Sequence, residues 1–558
     1  MVKQRELVLA ASTVVALSAG LNYLFSAYAP QLGSRLRLNS TQLNLVGAAG
    51  NLGVYLSSPI IGRIVDRRGP RPLLVFAALA LTSGYLVIRA FYLGGHAQSS
   101  LFGVFGVPGL VCAELLTGIG STAGLSSAGN TVAKSYKKRR AAALSVVLSG
   151  FGLSAAACEL LGSLLNDFSL RALLNMRSHV KKKKDSTLSS ILLDTAKTNR
   201  RDTTPSFLLL IAIGSFVSML VGVAFVRPAG EQGQKFPSAT TTTATAATVN
   251  TTTSSEPPSE TTRLVNSSSE DRQQQREQIE VNVSGWALFK ELDFYLIFLY
   301  NGLCSGVGLC YINNLGTVLR SLASSSSSSS TYPTLAVDDL ARTQSHLVSV
   351  LSIFNCLGRL SSGFGSDYFV HHENRRRRIS RVHWMVLTAT VLTLSQVCAY
   401  RATTVHGWTG LVVPTILTGF AHGSLFGISG VIGLERFGLR NFSGTNGILA
   451  LAPALFGQTT NLIFGKIYDS RSHLPSTSSS SSLSPRPLPD SLLSDSVGVD
   501  LVNLLPPRRQ RQRRAIECVA GRDCYAPAFK LTIGMAVLAL FVAVVLATLR
   551  RKMKTRVV

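Results

Sequence analysis

The 558-residue sequence predicts an all-α membrane protein, with twelve transmembrane helices in two six-helix bundles. Three observations predict it. The composition is too apolar and too poor in charge for soluble domains. Long apolar runs fall six and six along the chain. One short polar motif recurs at equivalent places in the two groups. Apolar residue types make up 46% of the chain and mean hydropathy is +0.28, while charged types are only 15%; a soluble domain carries about 25%. The charge is lopsided, with 55 Lys and Arg against 28 Asp and Glu and a net charge of +27. Such a balance can mark a nucleic-acid-binding protein. Here the basic residues are divided among loops on both faces of a series of apolar segments, which excludes a nucleic-acid surface and an ordinary soluble enzyme. No Walker-type phosphate loop, metal motif or nucleophile constellation is present, so no enzyme activity, metal, cofactor or ATP hydrolysis is expected.

A crossing of the bilayer takes about 20 apolar residues. The first run extends over residues 7–29 and is too long for the core of a cleaved signal peptide. Its far end carries Asn22, Tyr23 and Tyr28, so it reads as a retained first span. Further runs fall at 43–62, 72–93, 107–129, 141–165 and 206–226, closing an N-terminal bundle over 1–226. The second group falls at 294–317, 345–365, 382–401, 408–434, 445–467 and 528–549, giving a C-terminal bundle over 291–558. Between them, 227–290 is rich in Thr, Ser, Glu and Gln and reads as a disordered cytoplasmic linker, since it has too little apolar surface to fold. A Ser/Pro/Arg-rich loop occupies 468–527.

Short loops rich in Lys and Arg mark the cytoplasmic side. They follow span 2 (Arg63, Arg67, Arg68, Arg71), span 4 (Lys134 to Arg140), span 8 (Arg375 to Arg378, Arg381) and span 12 (Arg550 to Arg556), so both termini are expected there. Loops 166–205 and 468–527 are basic on the other face. Six cysteines (Cys112, Cys158, Cys304, Cys310, Cys356, Cys398) sit in apolar runs and read as small buried hydrophobes. Cys518 and Cys524 share one non-cytoplasmic loop, where a disulfide is chemically allowed. Asn39 opens a glycosylation sequon on that same face.

The repeated motif closes the second span of each half. After span 2 the chain reads Gly62-Arg-Ile-Val-Asp66-Arg67-Arg68-Gly69-Pro70-Arg71, and after span 8 Gly363-Phe-Gly-Ser-Asp367. An internal repeat at equivalent places in the two groups supports the six-plus-six reading. The first copy resembles the signature loop of the major facilitator superfamily. Narrower matches resemble its nodulin-like branch, and within it the fungal monocarboxylate-permease homologues of the vacuolar membrane. They are Asn22-Tyr23-Leu-Phe-Ser-Ala-Tyr28, Tyr311-Ile-Asn313-Asn314-Leu-Gly316, Asn355-Cys-Leu-Gly-Arg359, Phe437 to Gly447, Gly465-Lys-Ile-Tyr468-Asp469 and Cys518-x5-Cys524-Tyr525.

The resemblance implies alternating access, with spans 1, 4, 7 and 10 lining a central cavity for a small-molecule substrate. Polar residues on those spans are then the candidates: Asn22, Tyr23 and Ser26; Glu114 and Thr117, on one helix face with Gly118 and Ser121; Asn313 and Asn314; Thr418 and His422. An ionisable group inside a span is a functional hypothesis by default. Glu114 and His422 could each carry a proton, histidine because it changes charge near neutral pH and a carboxylate because desolvation favours its neutral form. The competing readings are a Glu114 that snorkels to water and a His422 that hydrogen-bonds at a helix contact. Glu159 in span 5 is a further candidate. No intramembrane arginine stands out as the clamp an anionic substrate would want. In the family the Asp66 loop acts as a cytoplasmic latch, with Gly62 allowing close approach, Asp66 facing a helix N-terminus of the other half, and Arg67 and Arg71 pairing nearby; Gly363 and Asp367 form a weaker second copy. The expected function is secondary transport of a small solute, proton-linked, across the vacuolar membrane, with the plasma membrane as the alternative location. Basic loops are expected to meet membrane lipid. The rival reading is a nutrient sensor built on a transporter fold.

Overall fold

The structure is a computed structural model that describes residues 2–38, 40–97, 100–136, 139–154, 156–157, 204–227, 283, 285–326, 337–370, 379–403, 410–472 and 521–556. Asn39, Glu159, Cys158, Cys518 and most of the 227–290 linker lie outside these residues. The N-terminal half comprises α1 (Val2–Ala19), a 3-10 turn (Gly20–Leu24), α2 (Phe25–Leu36), α3 (Ser40–Arg68), α4 (Pro70–Gly94), α5 (Leu101–Ser135), α6 (Arg140–Ser154) and α7 (Thr204–Phe225). The C-terminal half comprises a 3-10 turn (Gly285–Lys290), α8 (Leu292–Ser326), α9 (Val337–Val370), α10 (Val382–Arg401), α11 (Val412–Phe437), α12 (Phe442–Leu449), α13 (Leu451–Ser472), a 3-10 turn (Gly521–Cys524) and α14 (Ala526–Arg556). The protein is all-α, and among the described residues ten helices are long and apolar enough to cross a membrane, α12 and α13 counting as one crossing. The expected first span is instead broken into α1 and α2, and the fifth is described only as α6.

Local chemistry sets the ends of these helices. Gly69 takes φ +81° between α3 and α4, and Pro70 then opens α4 with its fixed φ already suited to a helix. The Ser100 hydroxyl caps α5 by accepting from the Gly103 N–H at 3.1 Å. Gly106, at φ +56° and two residues before Pro108, kinks α5 one turn later. The break in the first span has a different cause. A Cβ at Gly20 would lie 2.4 Å from the Phe151 carbonyl oxygen and from Ser154 Oγ, so the chain there lies against α6. Ser154 Oγ donates to the Gly20 carbonyl at 2.8 Å and Ser121 Oγ donates to that of Ala19, so neighbouring helices hold the carbonyls of the irregular turn.

Each half has its own core. In the first, Val15, Leu74, Leu81, Tyr85, Ile88 and Leu208 are buried together, with α3, α4, α5 and α7 packed on one another. In the second, one cluster gathers Ile297, Tyr300, Leu392 and Ala539, and another gathers Leu319, Leu411, Tyr525 and Phe529. Leu79, Val104, Leu462 and Phe541 are more than half exposed, an outward apolar face that suits lipid. Two boundary expectations change. The end of the 227–290 linker is ordered: Leu288 is buried in the second core, and the Val283 N–H donates to the Phe437 carbonyl at 2.9 Å. At the 468–527 loop, α13 runs on to Ser472, and Gly521–Cys524 forms a 3-10 turn beside which Cys524 and Tyr525 are buried. Of the apolar-run cysteines, Cys304 and Cys310 are buried, Cys356 and Cys398 half-buried, and Cys112 exposed on the outer face of α5.

Candidate functional site

Four segments of the first half converge on one carboxyl group. Glu114, two turns past the kink in α5, is 1% exposed. The Tyr28 hydroxyl, which α2 brings in just after the helix break, donates to its two oxygens at 3.5 and 3.4 Å. Asn22, in the 3-10 turn, donates to the Gly50 carbonyl of α3 at 3.4 Å. Gly50 itself faces the carboxyl, since a Cβ there would stand 3.3 Å from Glu114 Oε1. The Asn22 side-chain oxygen, Oδ1, has no hydrogen-bond partner among the described residues. Glu114 therefore does not snorkel to water. Among the described residues it makes no ion pair, so a negative charge there costs at least a few kcal/mol and a bound proton removes that cost. Thr117 departs from the expected lining: its hydroxyl donates to the Glu114 carbonyl at 2.7 Å, and its methyl group fills the space left by Gly84 of α4. The side chains of Tyr23 and Ser26 lie outside the described ones.

In the second half, Thr418 also turns away from the centre. Its hydroxyl lies 2.5 Å from Ser395 Oγ, tying α11 to α10. His422 is 3% exposed, edge-on to Phe426 at 5.0 Å, with Nδ1 lacking a hydrogen-bond partner among the described residues. It occupies room that Gly308 of α8 leaves, since a Cβ there would meet the ring at 2.2 Å. Asn314 donates to the Cys310 carbonyl at 2.8 Å and to Asn461 of α13 at 3.1 Å, whereas Asn313 is exposed.

The expectation of no intramembrane arginine is overturned by Arg359. It lies in α9, eight residues before Asp367 and so about 12 Å along the helix from it, and it is 4% exposed. Nε donates to Asn355 Oδ1 at 2.8 Å. The guanidinium lies over Phe151 of α6 at 5.7 Å and over Phe426 of α11 at 5.4 Å, so it bridges the two halves. Gly152 makes room, because a Cβ there would come within 3.0 Å of Nε. The sequence signal was available: an arginine six residues inside the 345–365 run is not a loop charge.

The halves meet at one end of the bundle, α3 packing on α12 and α13. Asp66 accepts from the N–H groups of Gly444 at 2.7 Å and Ser443 at 3.2 Å, in the first turn of α12, and from Asn130 Nδ2 at 2.6 Å. These are orphan donors at the positive end of a helix. Gly62 lies beneath them, where a Cβ would be 2.1 Å from the Ser443 carbonyl oxygen. The second copy mirrors the first. Asp367 accepts from the Ala142 N–H, at the start of α6, at 2.8 Å, and Gly363 abuts Ser145. Asp367 also pairs with Arg381, which pairs in turn with Glu435. Arg67 and Arg71 depart from expectation: both are exposed, and neither makes an ion pair among the described residues. Cys524 is disulfide-bonded; Cys518, its expected partner, lies outside the described residues.

The family profile described as the Major Facilitator Superfamily matches residues 11–366. A "Probable transporter MCH1" of Wickerhamomyces anomalus is 23% identical over 472 residues, covering 84% of this chain and 80% of its own, so the likeness takes in both halves. The "Probable transporter mch1" of Neurospora crassa is 25% identical over 523 residues, with 84% and 81% covered. A crystal structure of the superfamily transporter FucP in the outward conformation aligns over 95% of this chain and 98% of its own, at 11% identity and a TM-score of 0.47.

Proposed function

The chain belongs to the major facilitator superfamily of multi-pass membrane transporters, and on that footing we propose that it is a secondary transporter moving a small anionic solute together with a proton. The observation that carries this reading is one enclosed acid in the first half and one enclosed cation at the contact between the halves. Glu114 lies within the first half, and Arg359 lies where the second half touches the first. An arginine held in the protein interior offers a fixed positive charge and a planar fork of donors to an anion. A carboxyl that can lose its proton only on gaining water or a cation offers a proton site. Moving a monovalent anion and one proton together transfers no net charge. His422, beside Phe426 and so near Arg359, remains a second proton candidate. The halves, 1–226 and 291–558, rock about the contacts of Asp66 and Asp367, which act as latches that part when the solute leaves on that side. The vacuolar membrane is the location that the family resemblance implies.

Uptake into proteoliposomes with an imposed pH gradient tests this. Monocarboxylates, amino acids and sugars are compared as solutes for wild type, Glu114→Gln and His422→Ala. The expected result is gradient-driven uptake of one anionic class that Glu114→Gln uncouples from the gradient. Uptake of a neutral solute, or uptake indifferent to the gradient, refutes the proposal. Folded protein that takes up nothing returns weight to a sensor.

A further inference from the structure

Three basic side chains from three elements converge on a cavity at the end of the bundle opposite Asp66. The cavity holds about 350 Å3 and is lined by Tyr400 at the end of α10, Arg471 at the end of α13, Arg522 and Asp523 of the 3-10 turn, and Lys530 in the first turns of α14. The Tyr400 ring organises two of the cations: the Arg522 guanidinium lies 4.5 Å from its centre and the Lys530 ammonium 5.9 Å. Among the described residues Asp523 makes no ion pair, so three cations stand against one acid in the lining. Charges of one sign held together repel one another unless a counter-ion joins them. The start of α14 adds the positive end of a long helix.

The position of the cavity points to the ligand. It lies where three spans leave the apolar layer, with a tyrosine and basic residues at the level where headgroups sit. Below it the outer faces of two of those spans are apolar and exposed, through Leu462 on α13 and Leu531 and Leu538 on α14. Leu462 and Leu538 lie nine and eight residues deeper than Arg471 and Lys530, about 12–14 Å along their helices. An anion with an apolar tail fits both features, whereas a free anion uses only the first. We propose that this cavity binds the phosphate of an anionic phospholipid, with the acyl chains lying along α13 and α14.

Full-length protein in uncharged detergent is given equimolar phosphatidylglycerol and phosphatidylcholine, and retained lipid is read by native mass spectrometry. Wild type is expected to retain phosphatidylglycerol preferentially. Each cation facing the phosphate contributes about fivefold, so Arg522→Gln with Lys530→Gln is expected to lower retention about 25-fold. Should that double variant fold poorly, Lys530→Gln alone is expected to lower it about fivefold. Arg401→Gln, at the same end but outside the cavity, is expected to change nothing. Millimolar inorganic phosphate is expected not to displace the lipid. Equal retention by wild type and the folded variants overturns the proposal, as does equal retention of phosphatidylcholine. Displacement by inorganic phosphate also overturns it and assigns the site to a free anion. Retention is read without transport, so the site stands or falls independently of the proposed transport function.

Discussion

Gly62→Ala is expected to shift the bundle toward the state open at the Asp66 end. The atoms that a new methyl group would meet are backbone: the Ser443 carbonyl oxygen at 2.1 Å, its carbon at 2.5 Å and the Gly444 nitrogen at 3.0 Å. None is a side-chain tip that can swing aside, so α3 and α12 have to part by about 1 Å to restore ordinary packing contact. Overpacking of this kind typically costs about 1–3 kcal/mol. The same movement lengthens the bonds from Ser443 and Gly444 to Asp66. Taking about 2 kcal/mol against the closed state, the closed-to-open ratio falls about 30-fold. The reporter is Ser58→Cys: Ser58 is buried in the same contact, with its carbonyl 2.3 Å from where a Gly447 Cβ would stand. A membrane-impermeant maleimide applied from that side, with peptide mapping at position 58, reads the opening rate. Labelling is expected to rise about ten- to thirty-fold in the Gly62→Ala background. Gly534→Ala is the control, because a Cβ there meets nothing within 4 Å. Unchanged labelling in folded Gly62→Ala protein would refute the reasoning that this contact holds the end closed.

Arg359→Gln removes the charge that bridges α9 to α6 and is expected to raise KM for an anionic solute at least tenfold, from a charged hydrogen bond of about 1.5–3 kcal/mol; a KM within twofold of wild type in initial-rate uptake would show that the solute does not meet it. Thr418→Val breaks the bond to Ser395 between α11 and α10 and is expected to lower stability by about 1 kcal/mol while leaving KM unchanged. A thermal melt with uptake kinetics on the same preparation checks both, and a changed KM would restore Thr418 to the solute path.

Hydropathy and the paired Gly-to-Asp motifs made the architecture legible, because a bilayer imposes span length and internal hydrogen bonding on any sequence that crosses it. At the first span the deciding contact was long-range. The break at Gly20 depends on Phe151, Ser121 and Ser154, each a hundred or more residues away in the chain. The kink at Gly106 depends on neighbours alone, and Gly-Val-Pro was there to be read. Helical spacing put Glu114 and Thr117 on one face, yet a helix inside a bundle meets different neighbours across that face: α2 and α3 at Glu114, α4 at Thr117. Arg359 was quoted in a motif and passed over, because hydropathy registers the span around it and the rule for loop charges draws attention to its ends.

The two aspartates are related by the internal repeat but hold the halves together differently. Asp66 faces backbone: two of its three hydrogen bonds, from Ser443 and Gly444, come from the opposite half, and Asn130 is its only partner of those three at home. Asp367 accepts from Ala142 of the opposite half and keeps Arg381, itself shared with Glu435, on its own side. When the halves part, Asp66 loses most of what satisfies its charge, whereas Asp367 retains its ion pair. A charge-assisted hydrogen bond contributes roughly 1.5–3 kcal/mol, and leaving such a group unsatisfied away from water costs at least as much. The α3–α12 contact is therefore expected to be the costlier one to open although no ion pair among the described residues supports Asp66, and the α6–α9 contact, anchored at home, the easier one to release. Under the proposed rocking of the halves, opening at this end is expected to begin where α6 meets α9, the two helices that also meet through Phe151 and Arg359.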